Sequence, residues 1–566
     1  MANPIGLALW RLGLYKPIKK TIRYVTDPVF RQREREIRED LERTRGEVGK
    51  WAAQGREFAD PNRLFGIVSF TNFPLHAKFH CLIGKTMQLR GYTPVVFTFS
   101  GCRFAHEYFR LFGFDRLVMW DQYVKEVVEP NKVRDISESL FPVRPSVGHL
   151  QVCRFHGVDV GKHALSMTCR RRIEGRLQLD DPETLSLLRE HFNQAVESVL
   201  AAERFFSNHA VEKMLVRDAG YIPNGGIFEA ALEQGVDCAV YDQGQRRGTW
   251  VLKRYTPETK GEHLFSLSAS TWSRVKASLW TSKEDAELER EFAGRYKPDS
   301  TDDTRRLMSG RRLKTPEEVR QQLGLDPNKK TAVIFSHIAW DAAFFFGTCL
   351  FEDFEGWLFE TVKFVAAECS EMNWLVKLHP FNAFKLQREG KYEESEMRLL
   401  RTLMPLPDHV KIVRSDTDIN TRSLFAVVDY VLTVNGTVGM EFPCYGVPAV
   451  LAGSGRYDGR GFTVDPSTKE EYFATLKTLH TIPPLSAEAR RLARQHFLAL
   501  MTRRQVSLED IARMELKRIN EAQSDVHDNI SISARSLREF EAASSINNLG
   551  DWLASGREPD LLEPDR

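Results

Sequence analysis

The sequence predicts an α/β protein built as two doubly wound domains that face each other across a cleft. Three observations carry this expectation. The apolar runs are short, rich in β-branched residues and closed by polar or Gly-containing loops, which is how strands buried on both faces read. They form two series, at 64–241 and 331–452, each alternating with segments of helical length. Polar residues gather just past the strands, where open α/β sheets hold their ligands.

A chain of 566 residues is long for one core, so two domains with appendages are expected. At 42% hydrophobic and 28% charged, the composition is that of ordinary globular domains. A net charge of +2 argues against a dedicated nucleic-acid binder, which would be more basic. The 8 cysteines are scattered with no Cys-x-x-Cys pair, so neither a zinc site nor a disulfide framework is expected, and a reducing compartment fits. No apolar run reaches the roughly 18–20 residues that span a bilayer. At the N-terminus the basic residues follow the apolar ones, the reverse of a signal peptide.

Residues 1–60 read as a basic, amphipathic arm followed by a charged helix. In the first 25 residues, Arg11, Lys16, Lys19, Lys20 and Arg23 stand among Leu7, Leu9, Trp10, Leu12, Leu14 and Ile18, with no acid. That pattern suits either an anionic membrane surface or packing on the chain's own domain; Gly6, Gly13 and Pro17 weaken a helix there. Residues 31–57 carry dense charge of both signs and read as a solvated spacer helix. Residues 61–254 form the first α/β unit, with strands at 64–70, 93–99, 116–120, 213–217 and 236–241. Its helices are expected at 76–90, 103–112, 181–206 and 227–234, the first stopped by Gly91. Residues 255–330 are polar, charged and helix-prone and read as an interdomain connector. Residues 331–483 form the second unit, with strands at 331–336, 373–378, 409–413, 429–434 and 447–452. Phe354, Trp357, Leu358, Val362 and Val365 mark the inner face of a helix on that sheet. Residues 484–520 read as charged helices and 521–566 as a mobile, acidic polar tail. There is no internal repeat.

Two stretches of the second unit carry chemistry. Asn435-Gly-Thr-Val-Gly-Met-Glu441 follows a strand and opens a helix that Pro443 keeps short. Thr437 reads as its N-cap. The N–H groups of Val438 and Gly439 then form an anion site, which Gly436 and Gly439 let a phosphate approach closely. An ordinary capped helix is the alternative. His379-Pro380 ends another strand. Pro380 holds His379 out of helical geometry, where its imidazole can donate to a phosphate oxygen, and Lys377 adds charge. The residues suggest no metal site.

Together with Ser336-His-Ile-Ala-Trp-Asp341, Gly446-Val-Pro-Ala-Val and Tyr457-Asp-Gly-Arg-Gly-Phe-Thr463, these motifs resemble the capsular polysaccharide biosynthesis proteins. That family includes GT-B-type transferases that attach Kdo-like sugars. The resemblance covers about residues 331–505. In the N-terminal half only Gly220-Tyr-Ile-Pro-Asn-Gly225 is similar. Asn435-Gly436-Thr437 stands where many relatives carry Ser-Thr or Ser-Ser, and Phe442-Pro443 replaces a small residue, so the nucleotide and the sugar stay open.

The resemblance implies two Rossmann-like domains and a metal-independent glycosyltransferase of capsular or other surface polysaccharide. Its substrate would be a nucleotide sugar, with a CMP-linked donor among the candidates, and no further cofactor. Lys377, His379, Pro380, Asn435, Gly436, Thr437, Val438 and Gly439 would hold the donor. Glu441 would hold a ribose or sugar hydroxyl, or else complement the helix N-terminus. Arg456 and Tyr457 would sit on a loop closing over the donor. A glycan or glycolipid acceptor would enter from the N-terminal side, its hydroxyl deprotonated by Asp218, with His337 and Asp341 as alternatives. The expected location is cytoplasmic, peripheral on the inner membrane if the basic arm binds there. The rival readings are a nucleotide-sugar epimerase, a polyol-phosphate transferase, and a non-catalytic capsule assembly or export factor. An acidic base in the cleft favours an enzyme; an apolar floor facing His379 favours the silent protein.

Overall fold

The computed structural model describes residues 26–298, 308, 310–341, 343–381, 393–518 and 526–563. The basic arm expected at 1–25 lies outside them. Its strands in chain order are β1 (Asp60–Val68), β2 (Tyr92–Thr98), β3 (Leu117–Met119), β4 (Val211–Val216), β5 (Asp237–Gln243), β6 (Thr249–Tyr255), β7 (Thr331–Phe335), β8 (Asn373–Lys377), β9 (Val410–Val413), β10 (Tyr430–Thr433), β11 (Ala449–Leu451), β12 (Val506–Ser507), β13 (Ala512–Arg518) and β14 (Val526–Ile532).

The first sheet runs β12-β6-β5-β4-β1-β2-β3 and the second β11-β10-β7-β8-β9. β1 to β5 pair in parallel, with β6 and β12 added antiparallel at one edge. The second sheet is parallel throughout. Both parallel sets share one order, third-second-first-fourth-fifth, so each is a doubly wound, Rossmann-like sheet with a switch point between its first and fourth strands. Every residue of β7, β8 and β10 is buried, which is why their sequences read as unbroken apolar runs. The strand alternation still sorts the faces. Trp374 and Val376 pack into one core beside the second sheet, and Leu375 into the other. Lys377 therefore continues the Leu375 side.

Three expectations are corrected outside the sheets. The helix α1 (Pro28–Val48) is not a solvated spacer. Glu34, Ile37, Asp40, Leu41, Thr44 and Val48 make a buried stripe at helical spacing, which the dense charge obscures in the sequence. Asp40 lies 2.8 Å from Lys78 on α2 (Pro74–Gln88) and accepts from Tyr108 (2.5 Å) on α3 (Arg103–Leu111) and from Asn529 (2.6 Å) on β14. The connector contains α4 (Ser282–Tyr296), whose buried end meets the one-turn helix α5 (Val438–Glu441), with the Tyr296 hydroxyl donating to Glu441.

The charged stretch after 484 is helical in α6 (Ala487–Leu498) and the π-helical turn Ala499–Arg503 that continues it, before the chain returns as β12 to the first sheet. The last residues are no mobile tail. β14 pairs with β13, and α7 (Ser544–Ser555) buries Ile546, Leu549, Trp552 and Leu553 in the core of the first sheet. Asp560 sits buried, 3.2 Å from Lys253 and 3.4 Å from Arg504. Acidic composition hid this apolar spacing. Among the described residues no helix is long and apolar enough to cross a membrane.

Candidate functional site

A cavity of about 440 Å³ opens where the carboxyl ends of the two sheets meet. On the first sheet its wall follows β4 and β5; on the second it follows β7, β8 and β10, flanking that sheet's switch point. It brings together Asp218, His337, Asp341, Lys377, His379, Pro380, Asn435, Gly436, Thr437, Val438, Glu441 and Arg456. Gly439 and Tyr457 are not on its surface.

The first-sheet wall is acidic. Asp218 holds a left-handed backbone (φ 54) just past β4, a conformation few residues but Gly, Asn and Asp adopt at low cost and one that gathers at functional sites. Its Oδ2 lies 3.4 Å from Arg217 Nη1. Arg217 Nε also donates to Asp242 Oδ1 at 3.2 Å, so two carboxylates share one guanidinium. Asp242 went unread because the expected strand stopped at Tyr241; its signal is a lone acid ending an apolar run. Tyr221 donates its hydroxyl to Asp341 across the cleft, and the Arg170 guanidinium lies 4.2 Å over the Tyr221 ring. Asp341 is thus a strut between the two walls.

The second-sheet wall is a hydrogen-bonded loop. His337 Nε2 accepts from the Val434 N–H (3.1 Å) and lies 3.0 Å from Thr433 Oγ1, which in turn accepts from the Gly436 N–H at 3.1 Å. Burial, with Arg456 nearby, pushes His337 down to about 3. A neutral imidazole with Nε2 occupied shapes the loop, and the expectation of His337 as a base is corrected. His379 N donates to Ser336 Oγ (2.9 Å) and His379 Nδ1 accepts from the Phe381 N–H (3.2 Å). This assigns the proton of the neutral ring to Nε2, the donor role expected. Pro380 is buried beside it.

The 435–441 segment differs from expectation in its details. Thr437 has helical backbone and caps nothing; its hydroxyl accepts from Arg295 at 3.1 Å. The Gly439 N–H is spent on the Gly436 carbonyl at 3.1 Å. The N–H groups of Thr437 and Val438 bond to nothing among the described residues. They are the loop's donors, in place of the expected Val438 and Gly439. Glu441, expected to hold a hydroxyl or complement the helix N-terminus, lines the cavity with its carboxylate already drawn to protein partners. Its carboxylate lies 2.8 Å from Arg295, close but not aligned as a hydrogen bond, and takes the Tyr296 hydroxyl.

Arg295 also donates to Gln245 at 2.8 Å on the first-sheet side. It was missed because it lies in a polar connector with no motif. Arg456 donates to the Asn435 carbonyl (3.0 Å) and the Phe265 carbonyl (3.3 Å), while Tyr457, buried, donates to the Gly436 carbonyl at 2.5 Å. Both brace the loop in place, correcting the expectation of a segment that closes over ligand.

Gly439 serves Tyr457 rather than a phosphate: a Cβ there would stand 2.1 Å from the Tyr457 hydroxyl. Gly439→Ala is therefore expected to cost about 1–3 kcal/mol by overpacking. In a Tyr457→Phe background, urea denaturation should return a smaller cost for the same substitution; an equal cost would clear Tyr457 of the clash.

Lys377 is 3% exposed, on the Leu375 side of β8, and lines the cavity. Its amine makes no hydrogen bond or ion pair among the described residues. Burial, with repulsion from Arg311, pushes its amine down to about 7.

The solved structures to which the chain shows similarity share little sequence with it. The beta Kdo 2,4 transferase KpsC of Thermosulfurimonas dismutans is 14% identical, covering 50% of this chain and 79% of that one, at a TM-score of 0.31. HepE of Anabaena, in complex with UDP and glucose, is 13% identical over 78% and 97% at a TM-score of 0.28. The UDP-GlcNAc 2-epimerase of Neisseria meningitidis bound to UDP-GlcNAc is 12% identical over 76% and 94% at a TM-score of 0.23. No family model and no curated protein matches the chain.

Proposed function

We propose that this protein is a glycosyltransferase of surface-polysaccharide synthesis, moving a sugar from a nucleotide-sugar donor on the second sheet to a glycan or glycolipid acceptor at the first. The observation that carries the reading is the chemical asymmetry of the cleft. On one side stand the N–H groups of Thr437 and Val438, unengaged among the described residues, together with the His379 imidazole and the Lys377 amine, which suit a phosphate. On the other stand Asp218 and Asp242, which suit proton removal from an acceptor hydroxyl. The acidic wall favours an enzyme over a silent assembly factor. Asp218 is the base in this reading, with Asp242 holding Arg217 against it. The donor's leaving phosphate is stabilised by fixed dipoles and side chains.

His379→Ala is expected to weaken donor binding about 5- to 150-fold, the worth of one hydrogen bond to phosphate, with circular dichroism unchanged. Asp218→Asn should leave donor affinity within about 3-fold and abolish transfer, since an amide keeps the shape without the basicity. Calorimetry against UDP-, GDP-, CDP- and CMP-linked sugars, followed by product detection with and without acceptor, reads both. Full affinity in folded His379→Ala would remove the phosphate site, and turnover that needs no acceptor would favour an epimerase.

A further inference from the structure

Two donor sets stand apart on the second-sheet wall. The first is the pair of Thr437 and Val438 N–H groups past β10. The second is the Lys377 amine at the end of β8, opposite Phe335 of β7 in the strand register. β7 lies between β8 and β10, so the two strand ends are separated by two strand spacings, about 10 Å. Lys377 lines the cavity together with Phe335, Tyr296 and Met308, and among the described residues no carboxylate pairs with it. A buried ammonium without a counter-charge is costly to keep. Lysine offers a compact point charge, the form in which it binds phosphate, whereas a planar carboxylate is better matched by the fork of an arginine.

We infer that the cleft takes a ligand with two linked phosphates, one at the Thr437–Val438 loop and the other paired with Lys377, so that the donor is a nucleoside diphosphate sugar rather than a nucleoside monophosphate sugar. This rests on the nucleotide-sugar reading above and sharpens it. A lone phosphate occupies one donor set and leaves the other unmet; a diphosphate spans both. The assignment excludes the CMP-linked donor that the sequence leaves among the candidates.

Calorimetry on the full chain, with UMP against UDP, CMP against CDP and GMP against GDP, tests it directly. The diphosphate of the preferred base is expected to bind about 10-fold or more tighter than its monophosphate, the worth of one charge-assisted contact. Lys377→Met should erase most of that ratio and leave monophosphate affinity within about 3-fold of the parent. Lys377→Gln serves as the second variant should the first not fold. A parent that binds mono- and diphosphates equally overturns the inference while leaving the nucleotide reading intact. So does a folded Lys377 variant that keeps the full ratio. Binding of none of the six nucleotides overturns both.

Discussion

Arg295→Met is expected to destabilise the protein by about 3–5 kcal/mol, the cost of leaving one member of a buried ion pair without its partner. Glu441 has 1% of its side chain exposed and Arg295 14%. With the guanidinium gone, Glu441 keeps only the Tyr296 hydroxyl, while Thr437 and Gln245 each lose a donor. Adding Glu441→Gln to the variant should recover much of the loss, because a neutral amide no longer demands a counter-charge. Urea denaturation of the parent, both single variants and the double variant closes the cycle. A loss under 1 kcal/mol for Arg295→Met, or no recovery in the double variant, would sink the claim that this pair holds α4 to the 435–441 loop. Because Arg295 touches Thr437 and the first-sheet side together, its loss should also loosen the cleft: donor affinity should fall even where the variant stays folded.

The parallel strands were legible because burial on both faces leaves no room for polar residues. β6 was not. Its Lys253 and Arg254 break the apolar run, and the carboxylates that make their burial tolerable, Asp560 and Asp237, lie outside the local pattern. α1 and α7 hid in the same way, each an apolar stripe inside a charged composition.

Positions in the site could be read where a strand ends, as with His379, Asp218 and the 435–438 loop. Roles could not be read where a distant partner decides them. Glu441 looked like a ligand group until Arg295, from the connector, took its charge. Gly439 looked like a phosphate cradle until Tyr457 filled the space above it. His337 looked like a base until the Val434 N–H occupied its Nε2. Sequence spacing reports which residues share an end of a sheet; it does not report which of them are already satisfied by the protein.

Lys377→Met is expected to make the unliganded protein more stable, by an amount that depends on pH. The Lys377 amine lies at about 7 when folded against an ordinary 10.5. Between these values the unfolded chain binds a proton that the native state does not, so parental stability climbs as pH rises through this window. Below about 7 the native amine is charged and the full cost of burying it is present; near 10.5 that cost is gone. Methionine carries no charge at any pH. The variant's advantage should thus be largest at pH 7 and below, and should narrow by about 2–3 kcal/mol between pH 7 and pH 9, at close to 1.4 kcal/mol per unit.

The charged and titratable groups nearest Lys377 leave this window clear. Arg311 stays charged throughout it, and burial and Glu441 hold the Tyr296 hydroxyl far above its usual range. Chemical denaturation of the parent and variant at pH 7, 8 and 9 measures the difference. A gap that does not change with pH would mean the amine is charged and compensated in the free protein, leaving it no need of a ligand anion. A saturating diphosphate should close or reverse the gap at pH 7, because the ligand then supplies the counter-charge in the parent and has nothing to pair with in the variant.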